Sequence, residues 1–248
     1  MREDEYQAMY DLEDRLWWYI GMRAITASLL DGELSERGPL RLLDVGCGTG
    51  YSLNWLRSRY PVERAYGVDL SPHAAALWRL RDLDTVAVAS IDRIPFAANT
   101  FDLVTCFDVI YQLDDEGAQR AASELCRVLK PGGVLFIREP AYEWMRGSHD
   151  VAVATKHRYT RGELKRLVET VGFETRRATY ANSLLFWAAV PHRWLSRLKG
   201  SGESDVKPAS PLMNRLFGGT LSMESKIVRR LAFPFGLSVI VVARKAIS

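Results

Sequence analysis

Cysteine and histidine are scarce in this 248-residue chain. Its three cysteines, Cys47, Cys106 and Cys126, show no C-x-x-C spacing. They read as reduced, mostly buried small residues of a cytoplasmic protein. The four histidines, His73, His149, His157 and His192, are too scattered for a metal motif of known spacing, so no metal is expected. No run of eighteen apolar residues exists, and a spanning helix is not expected. Met1 is followed by REDEYQ, which is polar and acidic rather than leader-like. Acidic side chains thin out toward the C-terminus. Residues 1–154 carry 16 basic and 24 acidic side chains, whereas residues 155–248 carry 17 and 6. That split suits an anionic partner of the C-terminal half (nucleic acid, a membrane surface or a phosphorylated substrate); the plainer reading is a solvated basic face.

What is present is an ordinary globular composition, 48% hydrophobic and 25% charged, and one informative stretch. Residues 40–50 read LRLLDVGCGTG. An apolar run of strand character ends in Asp44, and Gly46, Gly48 and Gly50 follow at alternate positions. The helix-compatible YSLNWLRSRY comes next. Glycines let a backbone take positive φ and approach a ligand with no Cβ in the way. A strand feeding such a turn and then a helix makes a small-molecule cradle at the carboxyl end of a parallel sheet. The G-x-G-x-G spacing differs from the G-x-G-x-x-G of dinucleotide folds.

This stretch closely resembles motif I of the class I S-adenosylmethionine-dependent methyltransferases, in which the turn holds the methionine part of the cofactor. Three further segments resemble that family in the same order. AYGVDLS ends a second strand in Asp69, which can accept both ribose hydroxyls. IPFAANTFDLVTCFDVIYQLDD, residues 94–115, is similar to the segment running from the adenine site through strand four. ELCRVLKPGGVLFIREP, residues 124–140, resembles the following helix, turn and fifth strand. The resemblance, closest to type 11-like bacterial methyltransferases, implies S-adenosylmethionine as cofactor. It implies contacts from Asp44, Gly46, Cys47, Gly48, Gly50, Asp69, Leu70, Ser90, Ile91 and Phe107. Two positions depart from the family pattern: Ser90 stands where an acid often meets the adenine amino group, and Gln112 where many relatives carry histidine after strand four.

Tyr6 to Leu30 has helical spacing and contains Trp17-Trp18-Tyr19, then Gly21 and Arg23. This resembles a WWY…R element before motif I in a subset of the family. It implies that Trp17 or Trp18 covers the cofactor and that Arg23 pairs with its carboxylate; core packing with a surface arginine is the alternative. Residues 1–35 thus form an N-terminal helical cap on a single methyltransferase domain spanning 1–248. Strand candidates 41–45, 65–68, 84–89, 101–107 and 133–139 alternate with helix candidates near 51–59, 72–80 and 116–129. A capping box, Thr160 with Glu163, opens another helix. The expected fold is α/β: a Rossmann-like seven-stranded, mostly parallel sheet with helices on both faces and strand seven antiparallel.

In the family strands six and seven form a hairpin, but here residues 181–236 separate them, too long for a loop. This helical insertion pairs large apolar residues with arginine and lysine; near its end Ile227, Val228 and Leu231 form an apolar face set against Lys226, Arg229 and Arg230. It reads as a lid or pocket wall, a dimer interface, a peripheral membrane contact through 184–232, or simple packing.

Methyl transfer needs alignment, exclusion of water and, for O or N acceptors, a proton acceptor. His149 and His157, after strand five, are the candidate catalytic bases; packing and helix capping are the alternative for His157. The leading reading is an enzyme transferring a methyl group to a small or lipid-like acceptor, partly apolar and anionic. An RNA or nucleotide methyltransferase and a catalytically silent cofactor-binding scaffold are the alternatives. Nucleic acid is disfavoured because basic faces alternate with large apolar ones. The expected location is cytoplasmic or peripheral at the inner face of the membrane.

Overall fold

The computed structural model describes residues 3–35, 37–147, 150–151, 153–191 and 208–247. Seven strands form one sheet in the order β3-β2-β1-β4-β5-β7-β6. They are β1 (Leu40–Val45), β2 (Val62–Asp69), β3 (Val86–Val88), β4 (Phe101–Phe107), β5 (Leu129–Pro140), β6 (Phe173–Ala181) and β7 (Ser238–Lys245). All neighbours run parallel except β7, which is antiparallel to both β5 and β6. The expected Rossmann-like architecture is therefore what the chain adopts. Strand order reverses between β1 and β4, and ligands of such sheets bind outside the carboxyl ends at that switch point.

Strand β1 is apolar because both its faces are covered: Leu42, Leu43 and Val45 are fully buried. One face is covered by α5 (Asp115–Val128) and α6 (Arg161–Glu169). In α5 the N-cap Asp114 accepts the Gly117 N–H at 2.8 Å, and Ala118, Ala121, Ala122 and Leu125 turn inward. The capping box forms as expected, with Thr160 and Glu163 bonding each other's backbone N–H. On the other face lie α2 (Trp17–Leu34), α3 (Tyr51–Arg59), α4 (Pro72–Leu80) and α7 (Pro211–Val228).

Three local features differ from expectation. The single N-terminal helix is two, α1 (Glu3–Leu12) and α2, because Glu13 turns into the interior to accept hydrogen bonds and Leu16 is extended. Strand β5 begins four residues early, and Pro131-Gly132-Gly133 lies inside it at a register shift, with Gly132 at φ +73°. Leu231, expected on an apolar face, is exposed.

The 181–236 insertion starts as a helical run over 186–191 and resumes at residue 208; its His192–Lys207 portion lies outside the described residues. α7 packs directly on α2. A Cβ on Gly21 would lie 2.3 Å from Leu221 Cδ1, so only glycine admits this approach. Trp17 meets Phe217 edge-on at 5.1 Å, and the Trp17 N–H donates to Asn214 Oδ1 at 3.0 Å. Met22, Ile25 and Leu30 of α2 are essentially inaccessible. The N-terminal segment is thus part of the core and is clasped by the insertion.

Candidate active site

A cleft of about 1150 Å³ opens at the carboxyl ends of β1 to β5 and is roofed by α1, α2, residues 185–189 and the start of α7. Sheet order gives it two ends: a glycine-turn end over β1 and β2, and an end over β5 and β7.

At the first end the turn is pinned by Gly46 and Cys47 N–H groups, which donate to Val68 O at 2.7 and 3.0 Å. Gly46 has φ +72°, and a Cβ there would meet Val109 Cγ2 at 2.1 Å, so no other residue fits. The Trp78 indole N–H donates to Gly48 O at 2.7 Å and braces the turn from α4. Asp69, closing β2, accepts from Gly48 N–H, Ser71 N–H and the Tyr6 hydroxyl at 2.9, 2.9 and 3.0 Å. Asp44, closing β1, accepts from Thr105 Oγ1 at 2.6 Å through one oxygen. Its other oxygen, Oδ2, is buried with no hydrogen-bond partner among the described residues. Burial, aided by the Asp69 charge, pushes the Asp44 carboxyl up to about 7 despite the Thr105 bond.

Glu13 is a further buried acid at this end. It accepts from Thr49 Oγ1 and from Arg81, both at 2.5 Å. Burial raises it to about 7, with Thr49 and Arg81 holding it back. Arg23 donates to the Glu13 carbonyl at 2.6 Å and lies over the Tyr51 ring.

Toward β5 the wall changes character. Arg138 pairs with Asp108 through two nitrogens and lies between the Trp18 and Phe107 rings, 5.0 Å from each centroid. Asp108 takes φ +56°, and its N–H donates to Arg138 O. Glu139, fully buried, accepts the N–H groups of Val109, Ile110 and Tyr111 and so fixes the turn after β4. Burial and Asp108 push Glu139 up to about 8. Arg158 forms a buried two-pronged pair with Asp150 at 2.7 and 3.2 Å and donates to Ala141 O. Leu185, Ala188, Ala189, Met213 and Phe217 complete an apolar side.

Of the residues singled out in the sequence, Trp18, Arg23, Asp44, Gly46, Cys47, Gly48, Asp69, Leu70, Ser90, Ile91 and Phe107 line this one cleft. Gly50 is not on its wall; it caps α3 and faces Leu83. His157 is not on the wall either. Its ring packs edge-on against Tyr159 at 4.5 Å and lies 3.9 Å from Glu163 at the start of α6. His149 lies outside the described residues. Burial drives the Cys47 thiol well above its usual range, which leaves it inert. Sequence reasoning missed Glu13, Asp108, Arg138 and Glu139. A weak signal existed for the last two, since charged residues ending an apolar strand at a switch point are placed at the ligand crevice. Among the described residues no group of His, Cys, Asp and Glu could hold a metal ion.

Residues 43–137 match the family model of a methyltransferase domain. The chain is 32% identical over 158 residues to malonyl-[acyl-carrier protein] O-methyltransferase of Dechloromonas aromatica, covering 60% of this chain and 57% of that protein. It is 35% identical over 143 residues to a ubiquinone/menaquinone biosynthesis C-methyltransferase of Syntrophotalea carbinolica, covering 55% and 58%. The chain thus spans little more than half the length of these curated relatives. Among solved structures, phosphoethanolamine N-methyltransferase 2 of Haemonchus contortus, in complex with S-adenosyl-L-methionine, aligns with a TM-score of 0.58 and 20% identity over 89% of this chain and 52% of that one. That likeness concerns the fold.

Proposed function

The chain belongs to the class I S-adenosylmethionine-dependent methyltransferases, and from that premise we propose that it methylates a small or lipid-like acceptor with an apolar body. The observation that carries this reading is the continuity of the cleft. One cavity joins a glycine turn and two buried carboxylates to an apolar side-chain wall. Its volume of about 1150 Å³ lies above the usual span of small-ligand sites, roughly 300–1,000 Å³, which suits two molecules side by side.

The residues fit the cofactor. Asp44 Oδ2 is a buried acceptor lacking a donor, a vacancy suited to an ammonium group. Gly46 and Gly48 keep the turn free of side chains, and Asp69 stands where ribose hydroxyls are held in this fold. S-adenosylmethionine, when bound, supplies a methyl group on a positive sulfur with a neutral leaving group. This chain's part is to orient and to dry the site. Trp17, Trp18, Met213 and Phe217 screen the cleft from water. The Asp108 carboxylate, oriented by Arg138, can hold a proton leaving an O or N acceptor. An anionic acceptor would exchange with Asp108 or Asp150 for a guanidinium.

The test is turnover with methyl-labelled S-adenosylmethionine. The acceptor panel takes malonyl-acyl carrier protein and demethylated quinones from the relatives' names, together with a lipid extract and total RNA. Label should enter an apolar small molecule or an acyl group. Label in RNA alone, or tight cofactor binding with no transfer to any acceptor, would overturn the proposal.

A further inference from the structure

We infer that the outward face of α7 is a docking surface for an anionic phospholipid bilayer. The inference concerns the side of α7 opposite its buried face and beside the cleft, and it goes beyond the reaction proposed above. At 3.6 residues per turn, Leu212, Leu216 and Met223 fall within an arc of about 40° on the helical wheel. They are 66%, 58% and 55% exposed. Leu221 and Val228 lie on the opposite side, buried against α2 and the sheet. The helix is therefore amphipathic twice over. Its inner stripe is satisfied by the protein, and its outer stripe stays exposed among the described residues.

Charge decides what covers it. Arg215 and Lys226 edge the apolar stripe on one side, and Arg229 and Arg230 follow the last residue of the helix; all four are exposed. From residue 208 to 235 the one acid is Glu224, and it is buried, accepting the Ser183 and Leu184 N–H groups. Basic residues edging an exposed leucine and methionine stripe match the headgroup and acyl layers of an anionic leaflet. A second copy of the chain fits less well. Two-fold pairing of this face would set arginine and lysine against arginine and lysine with no exposed acid of α7 between them. Nucleic acid is excluded by the apolar centre, since phosphate contacts need cations where leucine and methionine stand.

No helix among the described residues is long and apolar enough to cross a membrane, so α7 lies in the headgroup plane. Met213 and Phe217, on the same helix, line the cleft. A docked α7 therefore holds the mouth of the cleft at the surface where an apolar acceptor is dissolved.

The experiment is flotation of the full chain with vesicles of phosphatidylcholine alone or of equal parts phosphatidylcholine and phosphatidylglycerol. Binding should require phosphatidylglycerol and fall with added salt. The double variant Leu216→Glu/Met223→Glu should float about tenfold less, while calorimetric affinity for S-adenosylmethionine stays within about twofold, as neither residue lines the cleft. Arg215→Ala/Lys226→Ala should lose the preference for phosphatidylglycerol. Equal flotation with both vesicles, no flotation, or undiminished flotation of the glutamate variant overturns the inference. So does a wild-type dimer in light scattering that the glutamate variant converts to monomer. Cofactor affinity is read separately, so failure here leaves the methyltransferase reading to its own test.

Discussion

The two ends of the cleft are built from different materials. Over β1 and β2 the wall is backbone and buried carboxylate: the Gly46–Thr49 turn, Asp44 and Asp69, all within thirty residues of sequence. Over β5 and β7 it is side chain, assembled from α2, residues 185–189 and α7, segments nearly two hundred residues apart. Backbone geometry suits a ligand that never changes. A wall of leucine, alanine, methionine and phenylalanine can be redrawn one residue at a time, which is how one fold takes many acceptors. The acids of the far end are of two kinds. Burial raises Glu139 there, as it raises Asp44 and Glu13 at the turn. Burial of Asp150 is instead outweighed by its bonds and charge pairing with Arg158, which hold it below its usual range.

The largest expected effect breaks the first end alone. Asp69→Ala removes the carboxylate proposed to hold the ribose and should weaken S-adenosylmethionine binding by about 1.5–3 kcal/mol. Calorimetry on protein shown by circular dichroism to be folded checks this, and unchanged affinity refutes the assignment. The converse change is Gly21→Val, which forces side chain into Leu221. Overpacking of this kind costs about 1–3 kcal/mol. Acceptor turnover should fall at least about tenfold while cofactor affinity moves only a few-fold; equal losses in both would mean the two ends do not work separately.

A third test uses pH. Glu139, near 8, and Asp44 and Glu13, near 7, have folded values above their unfolded ones of 4.5, 3.8 and 4.5. The folded chain then binds more protons than the unfolded chain between those limits. Stability from these groups is greatest below about pH 4 and declines as pH rises to about 8. Urea midpoints should show the decline, and Glu139→Gln should flatten its upper part. Midpoints that rise with pH across this window contradict the burial argument. The smallest effect is Tyr6→Phe. The hydroxyl competes for Asp69 Oδ1, so its loss should tighten cofactor binding by about 0.5–1.5 kcal/mol. Weaker binding would instead make Tyr6 part of the cofactor's own cradle.

The backbone-built end was legible in the sequence because its signals are local. A strand, glycines and an acid at fixed offsets announce themselves within eleven residues, and alternation of strand and helix patterns led to the parallel sheet; the antiparallel β7 followed from the family resemblance, and the strand order was not read from the sequence at all. The side-chain end was not legible. Nothing near Glu13 says that it turns inward, because its partners Thr49 and Arg81 lie 36 and 68 residues away. The helix was read through it for that reason. Arg138 finds Asp108 and two aromatic rings only through tertiary packing, and α7 finds α2 only through the absence of a side chain at Gly21. The histidines were chosen for their chemistry, yet His157 serves the start of α6, where its neighbour Glu163 closes the capping box.

The position of β7 has a consequence for synthesis. It lies between β5 and β6, so when β6 leaves the ribosome its place in the sheet does not yet exist, and β5 has an open edge. Domains fold as units and in order of emergence only where early segments can satisfy one another. Here the N-terminal five strands can assemble while translation proceeds, but β6 and the insertion must wait for the last residues of β7. The open edge of β5 is the moment of greatest exposure to mispairing, and the end of the cleft over β5 and β7 is completed only when β7 closes it.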